Sequence, residues 1–203
     1  MRNGPCLGEK DYHRRWETKS FRRVSTTGSS EKFQGIAEIH QGGDSMILSG
    51  RDLKWYIETG KLKINGVEDA QFQQNGVDLI LDSIEGNPEE LYAGGFYLGS
   101  LRERISMPDD LMAFVELRST WARSGIIIPP TIVDAGFEGD LTLELAAFKD
   151  IKTPYKQRFA HLIFARLTSP SVPYKGKYQG QKGITQAIFD EGEQLNLHFL
   201  EEK

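Results

Sequence analysis

The feature that most constrains the fold is a series of short apolar runs separated by turn-forming residues. Five runs stand out, at residues 77–81, 95–98, 113–117, 141–145 and 161–165, and Gly, Pro, Asp and Asn interrupt the chain between them. Many short strands and few helices predict an all-β fold, a sandwich, jelly roll or closed barrel. Several runs are apolar on both faces, which suits a barrel whose outer face is buried against other subunits.

One short N-terminal helix is predicted before these strands. Ser49 can cap it, and Asp52 falls three positions later, in the first turn. Gly60 can end it, about ten residues on. Residues 120–124 are the only other stretch that is typical of a helical turn. The apolar residues that share one face of the first helix are Leu53, Tyr56 and Ile57.

The first 45 residues differ from the rest of the chain. They carry 8 Lys/Arg and 6 Asp/Glu, a net charge of +2. Because the whole chain carries −4, residues 46–203 carry −6. Their apolar residues are sparse and unpatterned, so this stretch cannot bury much surface. The prediction is a flexible or loosely docked extension over residues 1–45, and one β domain with a C-terminal closing loop over residues 46–203.

Charge and composition argue against several classes of partner. A net charge of −4 provides no broad basic field for nucleic acid. No apolar run approaches the ~20 residues that a membrane-spanning helix needs. The single cysteine, Cys6, argues against a disulfide framework within the chain and against a cysteine-based zinc site, and it fits a cytoplasmic protein.

Residues 118–125 are a candidate phosphate-binding stretch, because they follow a predicted strand and open a short helix. A helix start presents free N–H groups to an anion. Ser119 and Thr120 add hydroxyl donors, and Arg118 and Arg123 add planar cations suited to phosphate. The alternative is an ordinary helix with surface arginines.

Two carboxylates around residues 133–145 could supply acid/base chemistry. The alternating strand directs Thr142 and Glu144 to one face and Leu141, Leu143 and Leu145 to the other. Asp134 and Glu144 are predicted to lie on the two arms of a hairpin. The alternative is a turn aspartate and a solvent-facing glutamate.

Residues 174–183 interleave Gly, Lys and Tyr near the C-terminus. Such a stretch is typical of a mobile loop with cationic and aromatic tips, which can close over a phosphate chain. A flexible basic tail is the alternative.

The order and spacing of these stretches resemble the trimeric dUTPase / dCTP deaminase family, and the archaeal-type dUTPase branch most closely. The resemblance runs from about Met46 to about Ile188. The matching stretches are MILS at 46–49, NGVDL at 75–79, MPDD at 107–110, FVELRS at 114–119, PPTIVDAGFEG at 129–139, RFAHLIF at 158–164 and KYQGQ at 177–181.

The resemblance implies a homotrimer of distorted β-barrels of jelly-roll type, with active sites between subunits. It implies a deoxypyrimidine triphosphate, dUTP or dCTP, as substrate. Mg²⁺ is expected on the substrate's phosphates and water, with no direct protein ligand. The residues that it places on the phosphate-binding motif are Arg118, Ser119, Thr120, Trp121, Ala122 and Arg123.

Roles for the remaining site residues follow from the same resemblance. Asp134 falls on the carboxylate that activates the attacking water in dUTPases, and Phe137 falls where a ring packs against the deoxyribose. The catalytic set is Arg118, Ser119, Arg123, Asp134 and Glu144. Those on the strand that reads the base are Thr142, Leu143 and Glu144, and those that contact the triphosphate in the deaminase branch are Tyr174, Lys177 and Gln181.

The family leaves two activities open. Asp134 follows Arg123 by 11 positions, as in dUTPases, and residues 129–132 lack the histidine that deaminases carry in a slightly longer segment. This favours a dUTP diphosphatase that forms dUMP and pyrophosphate. Glu144 keeps open a zinc-independent dCTP deaminase, or a bifunctional enzyme that forms dUMP from dCTP. Outside catalysis, a nucleotide-binding regulator and a structural jelly roll are the other classes.

Overall fold

The described part of the chain, residues 46–190 of a computed structural model, is built mainly from β-strands. The predicted extension over residues 1–45 lies outside these residues. A single turn of 3₁₀ helix spans Asp69–Gln71. The other elements, in chain order, are α1 (Gly50–Glu58), β1 (Lys63–Asn65), β2 (Phe72–Gln73), β3 (Gly76–Ile84), β4 (Glu90–Leu91), β5 (Phe96–Ser106), β6 (Leu111–Leu117), α2 (Ser119–Arg123), β7 (Ile126–Ile127), β8 (Thr131–Val133), β9 (Glu138–Ala147), β10 (Ile151–Lys152) and β11 (Arg158–Arg166).

Most strands belong to one antiparallel sheet, in the order β7-β9-β5-β3-β11-β6-β8. β1 adds to β5 and β2 adds to β3, while β4 and β10 pair separately. The central strand β3 has an irregular register toward both neighbours. Such irregularities bend a sheet, and this one curls into a half-barrel. The predicted all-β fold is confirmed.

Alternating burial along the strands creates the core. In β9 every second residue from Gly139 to Ala147 is buried, and the residues between are half-buried. Thr142 and Glu144 therefore share the face opposite Leu143, as predicted. The five predicted apolar runs coincide with strands β3, β5, β6, β9 and β11, except that β5 begins at Phe96 and leaves out Gly95.

The predicted N-terminal helix is confirmed as α1. Ser49 Oγ accepts a hydrogen bond from the Asp52 amide at 3.3 Å, and Asp52 Oδ2 accepts one from the Ser49 amide at 2.9 Å. Gly60 follows with φ +74°, a conformation that glycine adopts without strain. Leu53 and Tyr56 are buried in the core. No helix within residues 46–190 is long and apolar enough to cross a membrane.

The predicted hairpin that joins Asp134 to Glu144 is wrong. β8, which precedes Asp134, pairs with β6, whereas β9, which carries Glu144, pairs with β5 and β7. The two strands lie near opposite ends of the sheet order. The sheet curls, so the chain after β8 crosses from one end of the sheet to the other instead of turning back on itself.

Candidate active site

A cavity of about 400 Å³ lies where the two ends of the curled sheet face each other. Thr131–Val133 and Asp134 line it from the β8 end. Residues 141–144 of β9, with Phe96 and Leu98 of β5, line it from the other end. Further lining residues come from the stretch after β11, in what we call the C-terminal segment, residues 173–190. They are Tyr174, Tyr178, Gln181, Thr185, Gln186 and Ala187.

Two carboxylates reach this cavity from different strands. Asp134 is exposed just after β8, and Glu144 is half-buried on β9, opposite Leu98 of β5. Within residues 46–190, neither carboxylate has a hydrogen-bond or ion-pair partner, so both are available to a ligand or a water molecule. A free carboxylate in a cavity can accept a proton from water or orient it. Asp134 and Glu144 therefore lie at one cavity as predicted, although the hairpin that was predicted to bring them there does not exist.

Phe137 and the C-terminal segment meet beside Asp134. The Phe137 ring is buried and contacts the Tyr174 ring edge-on, with centroids 5.8 Å apart. Gly136, directly before Phe137, adopts a left-handed conformation with φ +76°. A Cβ on this residue would lie 2.6 Å from Cα of Pro173 in the C-terminal segment. Glycine is therefore required both for the turn after Asp134 and for the close approach of the C-terminal segment.

The predicted phosphate-binding stretch lies outside the cavity. The predicted helical turn is confirmed as α2, but none of its residues lines the cavity, and neither does Arg118. Arg118 Nε lies 3.1 Å from Asp78 Oδ2. Trp121 packs on Phe159 and donates from Nε1 to the Arg158 carbonyl at 2.8 Å. The exposed members of the stretch are Ser119, Thr120, Ala122 and Arg123.

The third predicted stretch is divided between the cavity and the surface. Tyr174 and Gln181 line the cavity, whereas Lys177 does not. Lys177 Nζ lies 3.7 Å from Asp190 Oδ2 in the same segment. The structure thus gathers seven of the predicted residues around one cavity, namely Asp134, Phe137, Thr142, Leu143, Glu144, Tyr174 and Gln181.

Comparisons with known proteins place the chain in a family. A family model described as dCTP deaminase-like matches residues 82–167. A probable deoxyuridine 5'-triphosphate nucleotidohydrolase of Sulfolobus islandicus rod-shaped virus 1 is 46% identical over 158 residues, which are 71% of this chain and 100% of that protein. The chain belongs to the dUTPase / dCTP deaminase family.

Further members of the dUTPase / dCTP deaminase family carry the other activity in their names. A dCTP deaminase of Hyperthermus butylicus is 40% identical over 171 residues, which are 69% of this chain and 97% of that protein. Among solved structures, the dCTP deaminase of Agrobacterium tumefaciens matches with a TM-score of 0.51 at 20% identity, over 77% of this chain and 53% of that one. This likeness extends to about half of that chain and concerns the fold alone.

Sequence reasoning missed a cluster of charges beside the stretch that was predicted to bind phosphate. Asp78 of β3 is only 2% exposed. Besides Arg118, its carboxylate lies 2.9 Å from His161 Nδ1 and 3.7 Å from Arg158 Nη1. An acidic residue inside the apolar run 77–81 was the available signal, because a buried carboxylate requires partners.

Sequence reasoning also missed eleven of the cavity residues, among them Tyr178, Phe96, Ile132 and Thr185. Tyr178 lies inside the quoted KYQGQ stretch, and its hydroxyl accepts a hydrogen bond from the Ile188 amide at 3.1 Å. Phe96 and Ile132 are large apolar side chains that remain exposed. Thr185 donates from its amide to Thr142 Oγ1 at 3.0 Å, so the Thr142 hydroxyl serves the C-terminal segment.

Proposed function

We propose that the protein is a dUTP diphosphatase, which hydrolyses dUTP to dUMP and pyrophosphate in deoxypyrimidine nucleotide metabolism. The observation that carries the proposal is the exposed, unpartnered Asp134 carboxylate at the rim of a cavity that Phe137 and Tyr174 also line. The viral relative named as a probable dUTPase aligns over its whole length. The segment 129–132, without a histidine, supports the same activity.

In this proposal Asp134 orients a water molecule and accepts its proton as the bond between the α- and β-phosphates breaks. Phe137 packs against the deoxyribose, where a ribose 2′-hydroxyl would clash or lose its hydrogen bonds. The base lies along β9, beside Thr142, Leu143 and Glu144. From the C-terminal segment, Tyr174, Lys177 and Gln181 contact the triphosphate.

The phosphate-binding stretch comes from a second copy of the chain. Arg118, Ser119 and Arg123 do not line the cavity of their own protomer, so we place them at the cavity of a neighbour in a homotrimer. Support comes from the apolar row, the side chains Phe114, Ile132 and Ile163, which stand side by side on β6, β8 and β11. Phe114 is 38% and Ile132 is 51% exposed.

Ile132 links this row to the cavity, because it belongs to both. A copy packed on the row would therefore lie at the cavity rim, where its own Arg118 and Arg123 could reach bound phosphates. Guanidinium groups suit this task because they bind phosphate oxygens in pairs.

Mg²⁺ accompanies the substrate in this proposal. Within residues 46–190, no group of three His, Cys, Asp or Glu side chains is arranged to hold a metal ion. Mg²⁺ retains several waters and binds phosphate oxygens readily. The ion would be held by the triphosphate and water, neutralise phosphate charge, and leave Asp134 to act on the attacking water.

A dCTP deaminase, or a bifunctional enzyme that converts dCTP to dUMP, is the second candidate. The specific observation in its favour is Glu144, a half-buried carboxylate without a partner on the β9 face of the cavity. In that position it could transfer protons during attack of water on a cytosine ring. The relative from Hyperthermus butylicus, named dCTP deaminase, supports this candidate.

Chromatography of the products from dUTP and dCTP, supplied separately with Mg²⁺, tests both candidates. We expect dUMP and pyrophosphate from dUTP. Asp134→Asn should lower kcat for dUTP by about 100-fold or more, since the water loses its base. Glu144→Gln should abolish any ammonia release from dCTP while dUTP hydrolysis stays close to wild type.

Two exposed carboxylates outside the cavity provide matched controls, Asp82→Asn and Glu58→Gln, and both should retain wild-type rates. Ammonia from dCTP without pyrophosphate from dUTP would replace the first candidate by the second. If neither nucleotide is bound or turned over, both candidates are refuted.

A further inference from the structure

The C-terminal segment lies along a part of the β9 edge with which no strand within residues 46–190 pairs. β9 pairs with β5 on one edge from Glu138 to Ala146, but with β7 on the other edge only at Ala146 and Ala147. Next to the remaining edge, the Gly180 amide donates to the Glu138 carbonyl at 2.7 Å. The Asp140 amide donates to the Gln181 carbonyl at 3.1 Å. The segment thus begins to add to β9 as a further strand would.

Beyond Gln181, side chains of β9 replace its backbone as hydrogen-bond partners. The Gly183 amide donates to Asp140 Oδ2 at 2.7 Å. The Thr185 amide donates to Thr142 Oγ1 at 3.0 Å, and the same hydroxyl donates to the Gly183 carbonyl at 3.2 Å. The position of the segment past Gln181 therefore depends on the side chains at 140 and 142, rather than on a regular ladder.

Arg104 holds the first of these side chains in place. Arg104 of β5 lies directly opposite Asp140 of β9, and its Nη1 donates to Asp140 Oδ1 at 3.2 Å. Nη1 also donates to the Gln181 carbonyl at 3.1 Å. The two side chains are 28% and 25% exposed, so solvent screens this pair less than a pair on the open surface. One ion pair therefore joins two strands to the C-terminal segment.

We propose that the Arg104–Asp140 pair is a positioning device that fixes the C-terminal segment on β9 and so holds Tyr178 and Gln181 at the cavity. Neither Arg104 nor Asp140 lines the cavity, so the pair acts only through the segment. The anchoring itself is independent of the reaction. Its consequence for a nucleotide triphosphate rests on the proposed function.

Loss of the pair should weaken substrate binding more than chemistry. Without the Asp140 carboxylate, Gly183 loses its acceptor and Gln181 loses the arginine fixed beside it, so the segment pays an ordering cost each time it closes on substrate. The groups that we place at the reacting bond, Asp134 among them, stay where they are. This predicts a higher KM with a nearly unchanged kcat.

The first experiment measures anchoring directly, by amide hydrogen exchange of the full-length chain. In Asp140→Ala and Arg104→Ala we expect the amides of Gly183 and Thr185 to exchange about 10-fold faster than in the wild type, while the Leu143 amide in the β5–β9 ladder changes little. Asp140→Asn keeps the shape and one acceptor oxygen, so its exchange should lie in between. Asp82→Ala, an exposed aspartate on β3, is the matched control.

The second experiment measures KM and kcat for dUTP in the same variants. We expect Asp140→Ala to raise KM about 10-fold with kcat within about 3-fold of wild type. The double variant with Arg104→Ala should be less affected than the sum of the two single variants, because both substitutions remove the shared ion pair. Asp140→Asn serves as the folded test variant if the alanine variants do not fold.

The outcomes separate the two proposals. Unchanged exchange at Gly183 and Thr185 would overturn the anchor. Faster exchange with an unchanged KM would show that the anchor does not position substrate-binding residues, and would overturn it as well. A wild-type chain that turns over no nucleotide refutes the proposed function, while the exchange rates still decide whether the pair fixes the segment.

Discussion

Asp78 shows how one buried side chain organises the region around Arg118. Its carboxylate lies between Arg118, Arg158 and His161, which are 40, 80 and 83 positions away in the sequence. Arg118 Nη1 also donates to the Arg158 carbonyl at 3.3 Å. Arg118 is therefore held from two sides before any ligand arrives. In the proposed function, this fixed arginine would bind phosphate without first losing side-chain freedom.

We expect Asp78→Asn to lower the free energy of unfolding by about 2 kcal/mol, because the substitution leaves basic groups facing a neutral side chain in a buried place. Urea unfolding at a fixed protein concentration measures it. Asp82→Asn, four positions along the same strand and exposed, should stay within about 0.5 kcal/mol of wild type. Equal unfolding midpoints for the two variants would contradict the structural role of Asp78.

Single residues were predictable where a local rule applied. The alternation of β9 placed Thr142 and Glu144 on one face, because side chains in a strand alternate with a period of two. The roles of Asp78 and His161 were not predictable in this way. The two residues are 83 positions apart on different strands, and only the folded sheet brings them into contact.

At the level of elements, α1 is attached to the sheet domain partly through a hydroxyl group. Tyr56 is buried, and its hydroxyl donates to Asp110 Oδ2 at 3.2 Å. Burial raises the pKa of Tyr56 above its ordinary value of 10.0, and the negative charge of Asp110 raises it further. Ionisation of Tyr56 is therefore less favourable in the folded chain than in the unfolded chain.

A pH dependence follows with a definite sign. The folded-state pKa of Tyr56 is raised, so its contribution to stability is fully present below pH 10 and is lost as the pH rises through the folded pKa. We expect the unfolding free energy of the wild type to fall more steeply above pH 10 than that of Tyr56→Phe. Denaturant titrations at several pH values measure both slopes, and parallel curves would exclude this role for Tyr56.

The apolar pattern predicted most strand boundaries, but it did not predict the end of a strand that continues through charged residues. The run 95–98 predicted only the start of β5, which continues through charged residues to Ser106. Glu103 is fully buried there, accepting from the Ile80 amide and from Gln71 Nε2, each at 2.9 Å. A strand that carries a buried carboxylate is not recognisable from apolar spacing, because two of the partners that satisfy Glu103, Ile80 of β3 and Gln71 of the 3₁₀ turn, lie 23 and 32 positions away.

The whole molecule presents a cavity and an apolar row that share one residue, Ile132. We expect Phe114→Lys, in the centre of the row, to convert a homotrimer into monomers, since a buried lysine without a partner is costly. Sedimentation equilibrium measures the mass, and dUTP hydrolysis should fall with the loss of trimer.

Phe148→Lys is the matched control for this assembly test, because Phe148 is an exposed phenylalanine just after β9, outside the row. It should retain the wild-type mass. A monomeric wild type at micromolar concentration, or an unchanged mass for Phe114→Lys, would contradict the proposed assembly.

Family membership and the all-β fold were predictable from ordered motifs spread over most of the chain. The topology around the cavity was not. The turn-like residues 134–137 favoured a hairpin. In the structure these residues instead connect β8 to β9 across the two ends of the sheet, which the curl of the sheet brings together. The location of Arg118 and Arg123 outside the cavity was not predictable from local spacing, because it depends on how the whole sheet folds.

β9 performs several tasks with alternate residues, and this makes the strand sensitive to changes in length. Its odd-numbered residues from Gly139 to Ala147 are buried. Of its even-numbered residues, Asp140 and Thr142 bond to the C-terminal segment, and Glu144 lines the cavity. Deletion of one residue upstream of Leu143 would exchange the two faces, moving Leu143 into the place of Thr142 and Glu144 into the buried place of Leu143. We therefore expect the chain to tolerate side-chain substitutions along this strand better than an insertion or deletion between Gly136 and Glu144.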